Sequence, residues 1–238
     1  MNRDARALSS LPAWVWAALA LALAAQVGYR AAGTAADTRR SELPAPPTPQ
    51  ALRLASFGEA EVAARLAMLY VQSFDLGGAN ATPYQSLDYA RLIGWLRTAL
   101  ALDPRSGYPL FAAARVYAEV PDPRRTRAML EFIYEAYLQD PDRRWAPLAH
   151  AALLAKHRLH DLALARRYAA AIDRHTTAPD VPLWARQMEV FILEDMNELE
   201  AARIVLGGLL ESGRIQDPDE ARFLRHKLEE LESRLKQR

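Results

Sequence analysis

The sequence predicts an all-α chain: helical hairpins stacked into an α-solenoid behind one N-terminal transmembrane helix. Three observations carry this. First, the phrase Ala99-Leu100-Ala101-Leu102-Asp103-Pro104 is echoed by Ala136-Tyr137-Leu138-Gln139-Asp140-Pro141, and self-similarity at such a period marks units that bury their faces against neighbours. Second, only 10 of 238 residues are Gly, and the 15 prolines gather in one linker and at the edges of apolar-periodic segments. No β-branched run alternates with period two, so helices are favoured over sheet. Third, residues Leu11 to Gly28 carry no charge.

After a tail over 1–10, the segment 11–28 is just long enough to cross a bilayer core as a helix. Trp14 and Trp16 stand at its start, where amphipathic rings suit the headgroup level. The stretch is rich in Ala, and Ala20-Leu21-Ala22 or Ala22-Leu23-Ala24 also fits a signal-peptide cleavage site. We read it as a retained anchor or uncleaved signal. Arg3 and Arg6 precede it and Arg30, Arg39 and Arg40 follow, so the flanking charges nearly tie. An early helix ahead of a large domain usually sends that domain across. The expectation is a single-pass inner-membrane protein with a periplasmic domain.

A linker over 29–55 follows. It holds Leu43-Pro44-Ala45-Pro46-Pro47-Thr48-Pro49, which predicts an extended stalk rising roughly 3 Å per residue. The repeat region is assigned to 56–216, with helices expected over 57–74, 87–102, 108–119, 124–139, 145–158, 161–174, 182–195 and 199–212. In the first of these, Val62, Leu66, Leu69 and Tyr70 share one face, and the helix is expected to open the first hairpin. A Gly-rich loop, Asp75 to Pro83, comes next, and its Asn80-Ala81-Thr82 matches a glycosylation acceptor of the kind chance often produces.

The repeat is clearest in four triplets spaced i, i+4, i+7. These are Leu92, Leu96 and Ala99; Met129, Ile133 and Ala136; Ala165, Ala169 and Ile172; and Ala202, Leu206 and Leu209. Their first members lie 37, 36 and 37 residues apart. Each triplet falls on one helical face, and its small residues let a neighbouring helix come close. Prolines mark the helix edges and only Pro147 falls inside an expected helix, near its third position. The last segment, 217–238, opens with Asp217-Pro218 and carries Leu224, Leu228, Leu231 and Leu235 on one side of a helix over 218–236. Such a one-sided helix suits a solenoid cap, although a coiled-coil contact uses the same seam.

The Ala-x3-(Leu/Phe)-x2-(Ala/Leu) triplet closed by Asp-Pro resembles the tetratricopeptide family over roughly Ser56 to Gly213. The first-helix Trp-x2-Leu-Gly pattern of that family is not cleanly present, and Leu92 and Met129 stand where Ala is usual. The resemblance implies a right-handed superhelix and a protein-binding role. It also implies that first helices line a groove, with Tyr108, Arg115, Trp145, Lys156, Trp184 and Gln187 as candidates, and Arg144, of a type that commonly anchors interfaces, completes the partner-binding set.

Catalytic motifs do not appear. There is no Gly-x-Gly-x-x-Gly, no phosphate loop and no His-Glu-x-x-His. His157, His160 and Asp161, with His150 upstream, are poorly spaced for a metal and read as exposed groups at a helix end. Glu194, Asp195, Glu198 and Glu200 read as a solvated acidic turn rather than an acid and base pair. The absence of cysteine excludes disulfides, a thiol nucleophile and Cys-ligated zinc. Net charge is +1, and residues past 42 are almost neutral, which argues against nucleic acid. The expected role is therefore non-enzymatic, with no cofactor, metal or small-molecule substrate. The expected partners are proteins, such as an envelope complex, together with the membrane reached through Leu11 to Gly28. A structural accessory subunit docking through its anchor and last helix is the alternative.

Overall fold

The computed structural model describes residues 12–32, 43–74, 84–215 and 217–237, and these are helical with no strand among them. The chain divides into two compact units, residues 1–41 and 42–238. In the first, α1 (Ala13–Ala32) exposes Trp14, Trp16, Leu19, Leu21, Leu23 and Val27. Among the described residues no helix is long and apolar enough to cross a membrane. The sequence of α1 shows why: it runs past Gly28 into Tyr29 and Arg30 after a polar Gln26. Leu11, which opens the expected span, lies outside the described residues.

The second unit comprises α2 (Pro49–Ala55), α3 (Ala60–Ser73), a 3-10 turn (Tyr84–Ser86), α4 (Tyr89–Leu102), α5 (Tyr108–Ala112), a π-helical turn (Ala113–Tyr117), α6 (Pro123–Gln139), α7 (Pro141–His157), α8 (Leu162–His175), α9 (Leu183–Asp195), α10 (Leu199–Glu211) and α11 (Pro218–Lys236). Aspartates start many of them. Asp88, Asp122, Asp161 and Asp217 each accept a bond from an amide of the first turn, satisfying a donor the helix cannot. At Asp122-Pro123 and Asp217-Pro218 the proline takes the first helical position, where its missing N–H is not needed.

All twelve triplet residues are buried, none more than 4% exposed, on α4, α6, α8 and α10. Helices adjacent in sequence pack together from α6 through to α11, α3 packs on α4, and α4 also touches α6. The sequence period reappears as bonds between residues about one repeat apart. The Tyr137 hydroxyl donates to the Ala171 carbonyl at 2.9 Å, Arg167 binds Glu131 through both nitrogens, and Arg97 pairs with Glu135. On α11, Leu224 and Leu231 are buried and Leu228 and Leu235 pack beside them, against α10 residues such as Leu206 and Leu209. The expected cap is thus seated on its own chain.

Three expectations need correction, and the orientation of α3 adds a finding. Residues 43–55 are not a free stalk: Leu43 is fully buried, 43–48 lies along α4, and α2 packs on α3 and α4. On α3 the small residues form the inner face. Ala63, Ala64, Ala67, Met68 and Val71 point inward, while Val62, Leu66, Leu69 and Tyr70 stand exposed, because small side chains let α3 approach closely. Helix α7 begins at Pro141, four residues early, which puts Pro147 in its interior. The carbonyl freed there is that of Arg143, an exposed residue within reach of water. Finally, 108–119 is broken by the π turn, where the Ala118 amide reaches the Ala113 carbonyl five residues back. Asp75–Pro83, with its Asn80-Ala81-Thr82, lies outside the described residues.

Candidate functional site

The helices fall into two kinds by what they expose. On α4, α6 and α8 the outer faces carry ion pairs: Arg97 with Glu135, Arg127 with Asp161, Arg167 with Glu131. Arginines there also cover rings, with Arg167 4.3 Å above Tyr134 and Arg97 5.8 Å above Phe132. The first helices of the hairpins differ. Val62, Leu66, Leu69 and Tyr70 on α3, Tyr108 and Phe111 on α5, Val116 in the π turn, Leu153 on α7, and Trp184 and Phe191 on α9 are all exposed. Leu138 and Ile204 are exceptions on the second helices.

Direct contacts link these first helices side by side. Gln72 of α3 donates to the Tyr108 hydroxyl, His150 of α7 lies 3.3 Å from Glu119 just past the π turn, and Lys156 of α7 pairs with Asp195 of α9. Trp145 and Trp184 meet edge to face with ring centres 5.8 Å apart, an arrangement favoured by the ring quadrupoles. Burial, then the charge of Arg115, pushes the His150 pKa below its ordinary value, and the Glu119 carboxylate opposes this only in part. A neutral imidazole therefore suits this position.

Of the seven sequence-derived partner residues, Tyr108, Arg115 and Trp184 are exposed, and Trp145 and Lys156 are half-buried on the same row. Arg144 and Gln187 are not available to a partner, being 6% exposed each. Arg144 turns inward because α7 starts at Pro141, and its guanidinium donates to the Ala136 carbonyl at 2.7 Å and the Pro104 carbonyl at 2.9 Å. Arg186 does the same from α9, donating to the carbonyls of Thr176 at 2.7 Å and Ala178 at 2.9 Å. These arginines satisfy carbonyls that helix ends leave without partners. They are structural clamps.

Sequence reasoning missed the exposed face of α3, and with it Phe111 and Phe191. The signal was present in Val62, Leu66 and Leu69 at helical spacing, but the same spacing also describes a core face. In comparisons with known proteins, no family model, curated protein or solved structure matches this chain.

Several of the other polar groups the sequence singles out have local partners. Asp161 caps α8 and binds Arg127, which with the Leu164 amide holds its carboxyl below the usual range. His160 closes α7 with a positive φ of 52°. Among the described residues no group of three His, Asp or Glu is placed to hold a metal. Glu194 binds Lys227 at 3.1 Å and Arg234 at 3.0 Å, and Glu200 binds Arg203. The acidic turn thus fastens α11 to α9. A cleft of about 290 Å³ between α4, α6 and α7 is lined by Arg97, Phe132, Glu135 and Arg144, whose charged groups already engage one another or backbone.

Proposed function

We propose that this chain is a membrane-tethered scaffold of tetratricopeptide-like type, which holds a protein partner for assembly of an envelope complex. In this reading the hairpins form a right-handed solenoid, α1 is the tether, and the row of first helices is the docking surface. One observation carries the reading: apolar and aromatic side chains are exposed on the first helix of every hairpin, whereas most second helices present paired charges. Exposed apolar area in a connected row marks a contact surface, and Trp, Tyr and Arg within it supply anchors. Residues past 42 are close to neutral overall, which offers no electrostatic invitation to nucleic acid.

The alternative is an accessory subunit docked through its anchor and last helix. The Leu224 and Leu231 seam is already buried against α10, so a partner there would meet the outer face around Phe223, which is 53% exposed. One experiment separates the two. The full chain is captured from membranes under mild detergent, comparing wild type with Leu66→Ser/Phe111→Ser, Trp184→Ala and Phe223→Ser, each first shown to melt near wild type. Loss of a co-purifying complex in the first two variants, with retention in the third, supports the first-helix surface. The opposite pattern transfers the role to α11, and retention in all three refutes both surfaces.

A further inference from the structure

Residues 43–48 are not merely packed on α4; they are gripped by it. Arg91 donates to the Leu43 carbonyl at 2.9 Å, the Trp95 indole N–H donates to the Pro44 carbonyl at 2.9 Å, and the Thr98 hydroxyl donates to the Pro47 carbonyl at 3.4 Å. The three donors stand at i, i+4 and i+7, so one helix face supplies all of them. Within that face lies Gly94. A Cβ there would come within 2.8 Å of Pro46 Cγ. A glycine in a helix interior weakens the helix relative to alanine, and here it leaves a notch that the proline ring fills. Leu43 is fully buried in the core that also holds Met68, Leu92 and Trp95, and the Trp95 ring is braced by Tyr70 at 5.0 Å.

These features match the way extended proline-rich chains are read elsewhere in physical terms. Such a segment has few amide donors, its carbonyls point outward, and its conformation is already restricted, so a face of donors beside an aromatic ring recognises it at low entropic cost. We propose that the Arg91, Gly94, Trp95 and Thr98 face of α4 is a binding site for extended Leu-Pro-x-Pro-Pro peptide, occupied in cis by the chain's own Leu43–Thr48. The occupant defines the ligand class: a buried Leu, a proline in the notch, and main-chain carbonyls met by side-chain donors. Because the segment is joined directly to α2, its effective concentration at the site is high, and an outside peptide enters only when the resident is displaced. This reading does not depend on the first-helix docking surface.

The test uses the full chain with Leu43→Asp and Pro46→Asp, and a fluorescent peptide of residues 43–49 as probe. The chain has no cysteine, so a spin label at Ala45→Cys reports whether the resident segment has left the site. In the released variant, with its helical content and melting checked, the peptide is expected to bind saturably and at least tenfold more tightly than to wild type. Adding Gly94→Leu or Trp95→Ala should remove that binding by tenfold or more. A peptide with its prolines replaced by glycine should not bind. Saturable binding that Gly94→Leu leaves untouched, or no binding although the label is mobile, overturns the proposal. A label that stays immobile despite both substitutions overturns it as well, since Leu43 and Pro46 would not then be what the face reads.

Discussion

Replacing Arg144 tests whether this side chain belongs to the fold or to a partner. It is 6% exposed, and its two terminal nitrogens reach the Ala136 and Pro104 carbonyls at 2.7 and 2.9 Å. Hydrogen bonds to a charged group contribute roughly 1.5–3 kcal/mol each. Burial offsets part of that, since it pulls the guanidinium pKa below its ordinary value. Truncation also strands two carbonyls, so Arg144→Ala should cost about 3 kcal/mol. With a urea slope near 2 kcal/mol per molar, the midpoint should fall by roughly 1.5 M. Arg143 is the control. Its side chain is 56% exposed and 3.7 Å from Asp140, so Arg143→Ala should stay within about 0.5 kcal/mol. Urea unfolding followed by circular dichroism on both variants decides the matter. Equal midpoints would mean that Arg144 is not a clamp.

Two further outcomes follow from the core and from titration. Ala165→Trp, at a fully buried position on α8, should overpack the helix crossing and cost roughly 1–3 kcal/mol, whereas Ala163→Trp on the exposed side of the same helix should leave the melting temperature nearly unchanged. Matching melts would show the register to be wrong. For His150, burial and Arg115 lower the folded-state pKa, so as pH falls below about 6.5 the unfolded chain takes up its proton first and stability declines until the folded value is reached. His150→Gln should flatten that part of the stability profile, and an unchanged slope would refute the assignment.

The second helices were legible because their triplets combine small and branched residues at one spacing, and Asp-Pro marks a helix start at Pro123, Pro141 and Pro218, though at Asp103-Pro104 it lies in the turn before α5. First helices were harder to read. In α3 the larger residues stay outside and alanines face α4, which reverses the usual inference from side-chain size because close helix approach outweighs apolar bulk at that contact. The π turn at Ala113–Tyr117 leaves no mark in the hydrophobic pattern. Prolines over 43–49 describe an extended chain but not whether it is docked; the missing information lay some fifty residues away, in Gly94 and the donors around it. The binding set erred at Arg144 and Gln187 for a related reason. Residue type nominated Arg144 and the resemblance nominated Gln187, but the early start of α7 and the packing of α9 turned them inward.

Helix α9 divides its loyalties. Ala185, Met188 and Ile192 join the large apolar cluster that runs from Leu43 through α8, while Val190 and Leu193 join a smaller one shared with α10 and α11. Ion pairs add to these contacts: Arg166 with the buried Glu189 and Lys156 with Asp195 tie α8 and α7 to α9, and the partly exposed Arg214 with Asp173 ties the end of α10 to α8. The half-exposed pairs among them contribute little to stability and weaken with salt. Helices α10 and α11 are held to the rest through α9, by Val190, Leu193 and the Glu194 pairs with Lys227 and Arg234, and this outer pair is expected to open at a lower cost than global unfolding. Its amides should exchange with solvent sooner than those of α6 to α8, and sooner still at high ionic strength.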